Sequence, residues 1–278
     1  MPTRCLLSLT TDFGLTDPFV GIMKGVVLGV CPSAQIIDIS HGIAPFDVLS
    51  GALAIWQAWH YFPADTVHVV VVDPGVGSER QPVLARMGGH WFIAPDNGVL
   101  TLVEREVLRC NGSAWHRRIA NSRYMLPVRS NTFHGRDIFA PAAAHLSSQI
   151  ERGAVAAETF GPVLESIVQL PIPEPIHNTD GSVEGVILKA DRFGNLLTNL
   201  AASDLPQTGK GWVIEVGERR ITRCCRFYAE AEPEELFAIL GSSGLLEIAM
   251  NRGSAREDTG IITGAEVRLV LGSTYSQA

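Results

Sequence analysis

The sequence has 278 residues, enough for one large domain or two ordinary ones. Hydrophobic residues make up 46% and charged residues 18%, so a sizeable core can form. A formal net charge of −7 without any Lys/Arg cluster argues against nucleic acid as a partner, and no apolar stretch reaches the ~20 residues of a membrane helix.

The opening stretch MPTRCLLSLTTDFG has an apolar run too short for a signal peptide. Cys5, Cys31, Cys110, Cys224 and Cys225 show no CxxC spacing. That predicts a reducing, cytoplasmic setting with neither a zinc site nor a disulfide frame. Cys224 and Cys225 read as chance neighbours in a strand.

Cys5 to Thr10 reads as a first buried strand, ending at Asp12, Phe13 and Gly14. Asp17 and Pro18 suit a helix start, an N-cap followed by Pro in the first turn. Val20, Met23, Val27 and Val30 then fall on one face of a helix over Phe19–Val30. Gln35–Ile39 is a second strand, broken by Ser40-His41-Gly42. Asp47–Trp59 is a second helix, with Leu49, Ala52, Leu53 and Trp56 as its apolar face. Val67–Val72 holds four consecutive valines, the pattern of a strand buried on both faces. It stops before Pro74, which donates no backbone hydrogen bond. Strand, helix, strand, helix, strand is a βαβαβ pattern and implies parallel pairing.

Trp91–Ala94 is a short strand running into the Asn97-Gly98 turn signal, and Leu100–Val107 a helix. Residues 111–131 have no clear period. Thr132 to Asp137 is a loop feeding an Ala-rich helix, Ile138–Ile150; within it Asp137 alone is a poor cap candidate. Pro162, Pro171, Pro173 and Pro175 give linker composition. Beyond them short strands are predicted at Val183–Ala190, Trp212–Val216, Arg220–Arg226, Leu236–Ile239, Leu245–Ala249 and Ile261–Leu271, with one helical hint at 201–205. The expectation is an α/β N-terminal domain over residues 1–170, its central sheet mostly parallel and flanked by helices. A smaller all-β, barrel-like domain follows over residues 180–278.

Three clusters carry the candidate chemistry. Asp12 and Asp17 lie at a βα turn. Two carboxylates there oppose a phosphate site, since a helix N-terminus already favours anions; an acidic residue at such a turn grips ribose hydroxyls in dinucleotide folds. Asp17 is equally readable as a simple N-cap. Asp73 ends the valine strand, where open α/β sheets bind ligands, and Arg80 follows a Gly-x-Gly turn. With His134, the usual proton handler, they form a possible triad, although spacing enforces no proximity. A structural ion pair between Asp73 and Arg80 is the alternative. In the C-terminal domain, Asp191 to Asn195 and Asn251 to Ala255 are glycine-containing turns. Asn195 can both donate and accept at a base edge, and two plain β-turns are the alternative. A metal centre built from Asp12, Asp38, His41, Asp73 and His134 lacks HxH, HExxH or DxD spacing, so no metal is expected. No GxGxxG follows a strand, which argues against a Rossmann dehydrogenase.

TDFG, VVDPGVGSER, APDNG, NTFHGRDIFAPAAAHL, DRFGNLLTN and LEIAMNRGSA together resemble the S-adenosyl-L-methionine hydroxide adenosyltransferases, relatives of the bacterial fluorinase and chlorinase. The likeness runs from about Ser8 to about Leu271. It implies hydrolysis of S-adenosyl-L-methionine, the substrate rather than a cofactor, to adenosine and L-methionine. It also implies a homotrimer with its site between neighbouring subunits. By this resemblance Asp12 holds the ribose hydroxyls, and Asp17 and Asp191 the methionine ammonium. Asn195 and the backbone of Arg252, Ser254 and Ala255 hold adenine. Phe133 lines the pocket near C5′, and Asp73, Arg80 and His134 orient water. The halogenases carry Tyr and then Ser or Gly after the aromatic; here His134 and Gly135 follow Phe133, as in the hydrolases. In the fluorinase an aromatic packs on adenine just after the FGN turn, and Leu197 stands at the corresponding place. A nucleoside-binding sensor without turnover and a halide adenosyltransferase are the competing functions.

Overall fold

A computed structural model describes residues 5–205 and 212–271. The chain divides into two compact units, Met1–Leu170 and Pro171–Ala278.

The first unit is built on the valine strand. Its elements are β1 (Leu6–Thr11), α1 (Phe19–Val30), β2 (Gln35–Ser40), α2 (Val48–Ala58), β3 (Val67–Val71), β4 (Pro82–Met87), β5 (His90–Pro95), α3 (Thr101–Arg109), β6 (Ala114–Arg118), α4 (Ala140–Glu151) and β7 (Val163–Leu164). They form one seven-stranded sheet in the order β2-β1-β3-β5-β4-β6-β7. The first four strands are parallel and the last three antiparallel to their neighbours. Alternation along β3 explains its composition. Val67, Val69 and Val71 pack on one face with Met23, Val27, Phe139 and Leu146, from α1 and the segment leading into and through α4. Val70 packs on the other with Ile55, Trp59, Val103 and Val107, around α2 and α3. Both faces are covered, so neither position tolerates water and the run stays apolar.

The sequence patterns miss three strands of this sheet, β4, β6 and β7. The β4–β5 connection is a two-residue hairpin at Gly88 and Gly89, both in the left-handed region that such a turn requires. Two further points differ locally. The helix N-cap at α1 is Pro18, with no side-chain capping bond, so Asp17 is not the cap. The loop before α4 does not open directly into an α-helix: Gly135–Phe139 forms a π-turn first.

The second unit contains β8 (Ile176–His177), β9 (Val183–Ala190), β10 (Leu196–Ala201), β11 (Trp212–Val216), β12 (Arg219–Ile221), β13 (Leu236–Leu240), β14 (Leu245–Met250), a five-residue helix α5 (Ala255–Thr259) and β15 (Glu266–Leu271). The eight strands run β12-β11-β15-β9-β10-β14-β13, with β8 on β9, all antiparallel. A bridge between Cys224 and Ala238 draws the segment after β12 toward β13, so the sheet comes close to closing on itself as a barrel. Near-closure hides strand edges that would otherwise be free to pair with other chains. β10 and α5 are absent from the sequence reading. The strand expected over 220–226 is the three-residue β12, and the one expected over 261–271 begins only at Glu266. The helical hint at 201–205 is a 3-10 turn, Ala202–Asp204.

A polar chain crosses the first unit's core. Ser8 Oγ lies 2.7 Å from His68 Nδ1, and His68 Nε2 lies 3.2 Å from His90 Nδ1. His68 is fully buried and stacked on Phe92. Burial, reinforced by His90, pushes its pKa down from 6.5 to about 3. In the unfolded chain the ring titrates near its ordinary value, so between these values the unfolded state binds the extra proton. Stability from this site is complete above pH 6.5 and is lost as the pH falls toward 3, at up to ~1.4 kcal/mol per pH unit. The expected outcome is a urea midpoint that drops through this window, with a slope shallower by about one proton in His68→Gln.

Candidate active site

β1, β2 and β3 are parallel neighbours, so their carboxyl ends share one edge of the first unit's sheet, the side on which open α/β sheets place ligands. Asp73 follows β3 there. Arg80 folds back across the Gly75–Ser78 turn and grips it: Arg80 Nε donates to Asp73 Oδ1 (2.9 Å) and Oδ2 (3.0 Å), and Nη2 donates to Oδ2. Both side chains are almost withdrawn from solvent, 8% exposed for Arg80 and 5% for Asp73. A charge buried to this degree persists only when paired, and the bidentate geometry supplies that pairing. The guanidinium also lies over the Phe139 ring, 5.2 Å from its centroid.

His134 joins the pair although 54 residues separate it from Arg80; Arg80 Nη2 lies 2.8 Å from its Nδ1. A guanidinium has only donors, so Nδ1 must be the acceptor. The neutral ring therefore carries its proton on Nε2. Burial, then the Arg80 charge, hold the imidazole pKa below the usual histidine value, against the opposing pull of Asp73 and Asp137. The ring is accordingly neutral near pH 7. Gly77 lets the two segments meet. It lies at φ +79°, and a β-carbon on it would overlap the Asn131 carbonyl oxygen.

Phe133 lies beside this triad, edge-on to Phe13 (5.9 Å) and Phe19 (5.2 Å). Gly135 leaves room for the rings: a β-carbon there would come within 3.2 Å of Phe133 and 3.3 Å of Phe13. Asp12 makes no bond to the triad. Its Oδ2 accepts the Phe46 N–H (2.8 Å) and so ties the end of β1 to the loop before α2. Phe46 itself is 70% exposed and has a positive φ, 70°. Sequence patterns gave no signal for it. Asp17 is exposed on the approach to α1, with no role in capping that helix.

In the second unit the two candidate turns pack together. Asp191 Oδ1 accepts the N–H groups of Phe193 (2.8 Å) and Asn195 (2.9 Å), and Oδ2 accepts Asn195 Nδ2 (2.9 Å). Because a carboxylate only accepts, the Asn195 amide must turn its NH2 toward Asp191 and its oxygen away. Tyr228, another residue missed by sequence reasoning, places its hydroxyl 3.4 Å from the same Nδ2. Gly194, at φ +83°, lies so close to Ser254 that any side chain would overlap it, and its carbonyl accepts the Arg256 N–H (2.9 Å). Ser254 caps α5 by accepting the Glu257 N–H (3.1 Å), Ala255 is buried, and Arg252 has φ 58°. Leu197 lies in β10 at 4% exposure, on the opposite side of the strand from Leu196 and Leu200, which pack in the core; the exposed ring of this turn is Phe193, at 77%. Among the described residues no cluster of three His, Cys, Asp or Glu could hold a metal ion, and no helix is long and apolar enough to cross a membrane.

Comparison with known proteins places both units. Residues 7–156 match the SAM hydroxide adenosyltransferase N-terminal domain, and residues 185–268 match the C-terminal domain. The chain is similar to the (R)-S-adenosyl-L-methionine hydrolase of Thermus thermophilus, with 38% identity over 94% of this chain and 97% of that protein. A fluorinase of Nocardia brasiliensis is similar at 27% identity, over 97% of this chain and 98% of its own. A crystal structure of a conserved protein from Thermotoga maritima matches with a TM-score of 0.85 at 34% identity, over 95% of this chain and 99% of that one.

The Gly77 contact yields a direct test. Gly77→Ala forces a strained φ and pushes the Asn131 carbonyl away, so it should cost roughly 1–3 kcal/mol of stability by urea denaturation. It should also part the Arg80 and His134 segments, seen as a rise of the His134 pKa toward the ordinary histidine value in an NMR titration.

Proposed function

The chain belongs to the SAM hydroxide adenosyltransferase family, and from this premise we propose that it hydrolyses S-adenosyl-L-methionine to adenosine and L-methionine. The observation that carries the reading is the hydrogen bond between Arg80 and His134, with the pair anchored on Asp73. An imidazole held against a guanidinium suits water, which needs hydrogen-bonding and deprotonation; a halide needs neither.

In this reading the water oxygen attacks C5′ and the C5′–sulfur bond breaks. Its electron pair stays on sulfur, giving neutral methionine, and one proton is released. The substrate is a sulfonium and the nucleophile gains hydroxide character, so the transition state merges opposite charges. A desolvated site favours that merger, because water stabilises the separated charges more. The edge-packed rings of Phe13, Phe19 and Phe133 supply such walls. Donors from Arg80 and the Nε2–H of His134 stabilise developing negative charge on oxygen. The ring's one lone pair is occupied by Arg80, so His134 takes a proton only once that bond shifts; until then it orients. Asp12 holds the ribose hydroxyls, and Asp17 and Asp191 the methionine ammonium. Asn195, presenting its amide oxygen, meets adenine together with the backbone of Arg252, Ser254 and Ala255. Phe133 lines the wall near C5′. No metal or other cofactor takes part. A homotrimer is part of the reading, and the exposed apolar residues Leu15, Phe19, Ile22 and Phe46 supply surface for self-association. A cytoplasmic setting is also part of it, in keeping with five free cysteines.

The decisive experiment is chromatography of S-adenosyl-L-methionine after incubation with the protein. Adenosine and methionine should appear, and no 5′-chloro-5′-deoxyadenosine even in molar chloride; a chlorinated product would overturn the reading. His134→Ala should lose on the order of 10²–10⁴ in kcat. Arg80→Ala should lose rate too, and the double variant little beyond the worse single, since members of one unit are not additive.

EDTA should leave the rate unchanged, because the ligand spacings for a bound ion are missing. Activity lost to EDTA and restored by one divalent ion would remove the metal-free mechanism.

A further inference from the structure

We propose that Asp137 is a positioning residue for this reaction: acting through Ser130, it fixes the loop that carries Phe133 and His134 and so sets where the imidazole meets Arg80. The inference rests on the reading of His134 as part of the hydrolytic site.

The Asp137 carboxylate is completely buried, and a buried charge persists only where donors replace water. Four do. Its Oδ2 accepts the Ser130 N–H (2.7 Å), the Ser130 hydroxyl (2.9 Å) and Arg136 Nη2 (3.1 Å), and its Oδ1 accepts Arg136 Nε (2.6 Å). Burial opposes the charge, but the Arg136 and Ser130 donors outweigh it and hold the carboxyl below its ordinary value. The acid is therefore ionised wherever the protein is folded near neutral pH.

The direction of these bonds matters. A carboxylate only accepts, so the Ser130 hydroxyl spends its proton on Asp137 and turns its lone pairs outward. One of them accepts the Phe133 N–H at 3.0 Å. Arg136, clamped on the same carboxylate, lies over the Phe133 ring, 5.2 Å from its centroid. The main chain closes the loop further: the Asp137 N–H donates to Phe133 O (3.1 Å), and the Asp137 carbonyl accepts the Leu126 N–H (2.9 Å). One buried charge thus holds Phe133, and through it the adjoining His134, from opposite ends of an eight-residue span. It makes no capping bond to α4, which begins three residues later.

The charged groups acting on His134 are Arg80, which disfavours the imidazolium, and Asp73 and Asp137, which favour it. Removing the Asp137 charge should therefore lower the imidazole pKa further.

The test is steady-state hydrolysis by the full chain across the acidic and neutral range, with adenosine affinity measured by calorimetry. Ser130→Ala removes the relay without changing charge, Ser130→Thr restores the hydroxyl, and Asp137→Asn keeps the size while discharging the acid. Ser130→Ala and Asp137→Asn should each lose about 10–100-fold in kcat, with adenosine affinity within about twofold of the wild type. Ser130→Thr should recover most of the rate, and Asp137→Asn should shift the acid limb of kcat/KM to lower pH. Normal kcat in folded Ser130→Ala and Asp137→Asn would overturn the inference. So would equal losses of kcat and adenosine affinity with the acid limb unmoved. Should Asp137→Asn fail to fold, the Ser130→Ala and Ser130→Thr pair decides alone. If His134→Ala turns over like the wild type, the reading of the site falls; if it is inactive while Ser130→Ala and Asp137→Asn are normal, this inference alone falls.

Discussion

A guanidinium withdrawn from water at the end of a buried strand is the constraint on which the first unit's site depends. A guanidinium is charged and carries only donors, so its desolvation must be offset by acceptors in fixed places. Asp73 occupies the inner edge of the fork, and the remaining reach of Nη2 goes to His134. The strand that delivers Asp73 is rigid because both of its faces are packed. Rigidity there matters for chemistry, since a site that holds charge in advance reorganises little when the transition state forms. The ion-pair and catalytic readings of Asp73 and Arg80 are therefore compatible: the pairing that satisfies the buried charge also aims it.

Much of the frame was legible from residue pattern. The valine run and the helical faces at Val20, Met23 and Val27 give a βαβαβ pattern from which parallel pairing follows, while the strand order β2-β1-β3 is known only from the structure. β4 and β6 escaped because they lie among antiparallel neighbours, where short mixed sequences such as PVLARM and AWHRR read as strands only once their partners are known. The Gly88-Gly89 pair was the available signal for the hairpin. In the second unit β10 starts directly after the Asp191–Asn195 turn, and its short run LLTNLA has a polar Thr-Asn pair at its middle that breaks the strand pattern.

The candidate site divides the same way. Asp73 and Arg80 stand seven residues apart across a glycine turn, so their meeting is nearly local. The approach of His134 depends on Gly77 fitting under Asn131, a tertiary contact that no spacing rule encodes; residue chemistry offers the triad only as one possibility beside a plain ion pair, and the family likeness favours it. Asp137 shows the opposite failure. From sequence alone it suggests only a poor helix cap, a local role, whereas its bonds run backward to Ser130. Phe46 and Tyr228 gave no sign in sequence because an isolated aromatic is ordinary core material until its exposure or hydroxyl partner is seen.

The place of β9 in the second sheet bears on how the chain is made. β9 lies between β10, which follows it almost at once, and β15, which comes some eighty residues later and pairs Leu269 with Val183. During synthesis the first unit is complete and able to fold while β9 still has one bare edge. That edge waits for the last described strand. Long loop closure makes such pairing slow, and an unpaired strand edge is the feature most prone to recruit a wrong partner. The vulnerable moment in this protein's life thus falls between emergence of Ala190 and arrival of Leu269, when a chaperone that shields strand edges would have most to protect.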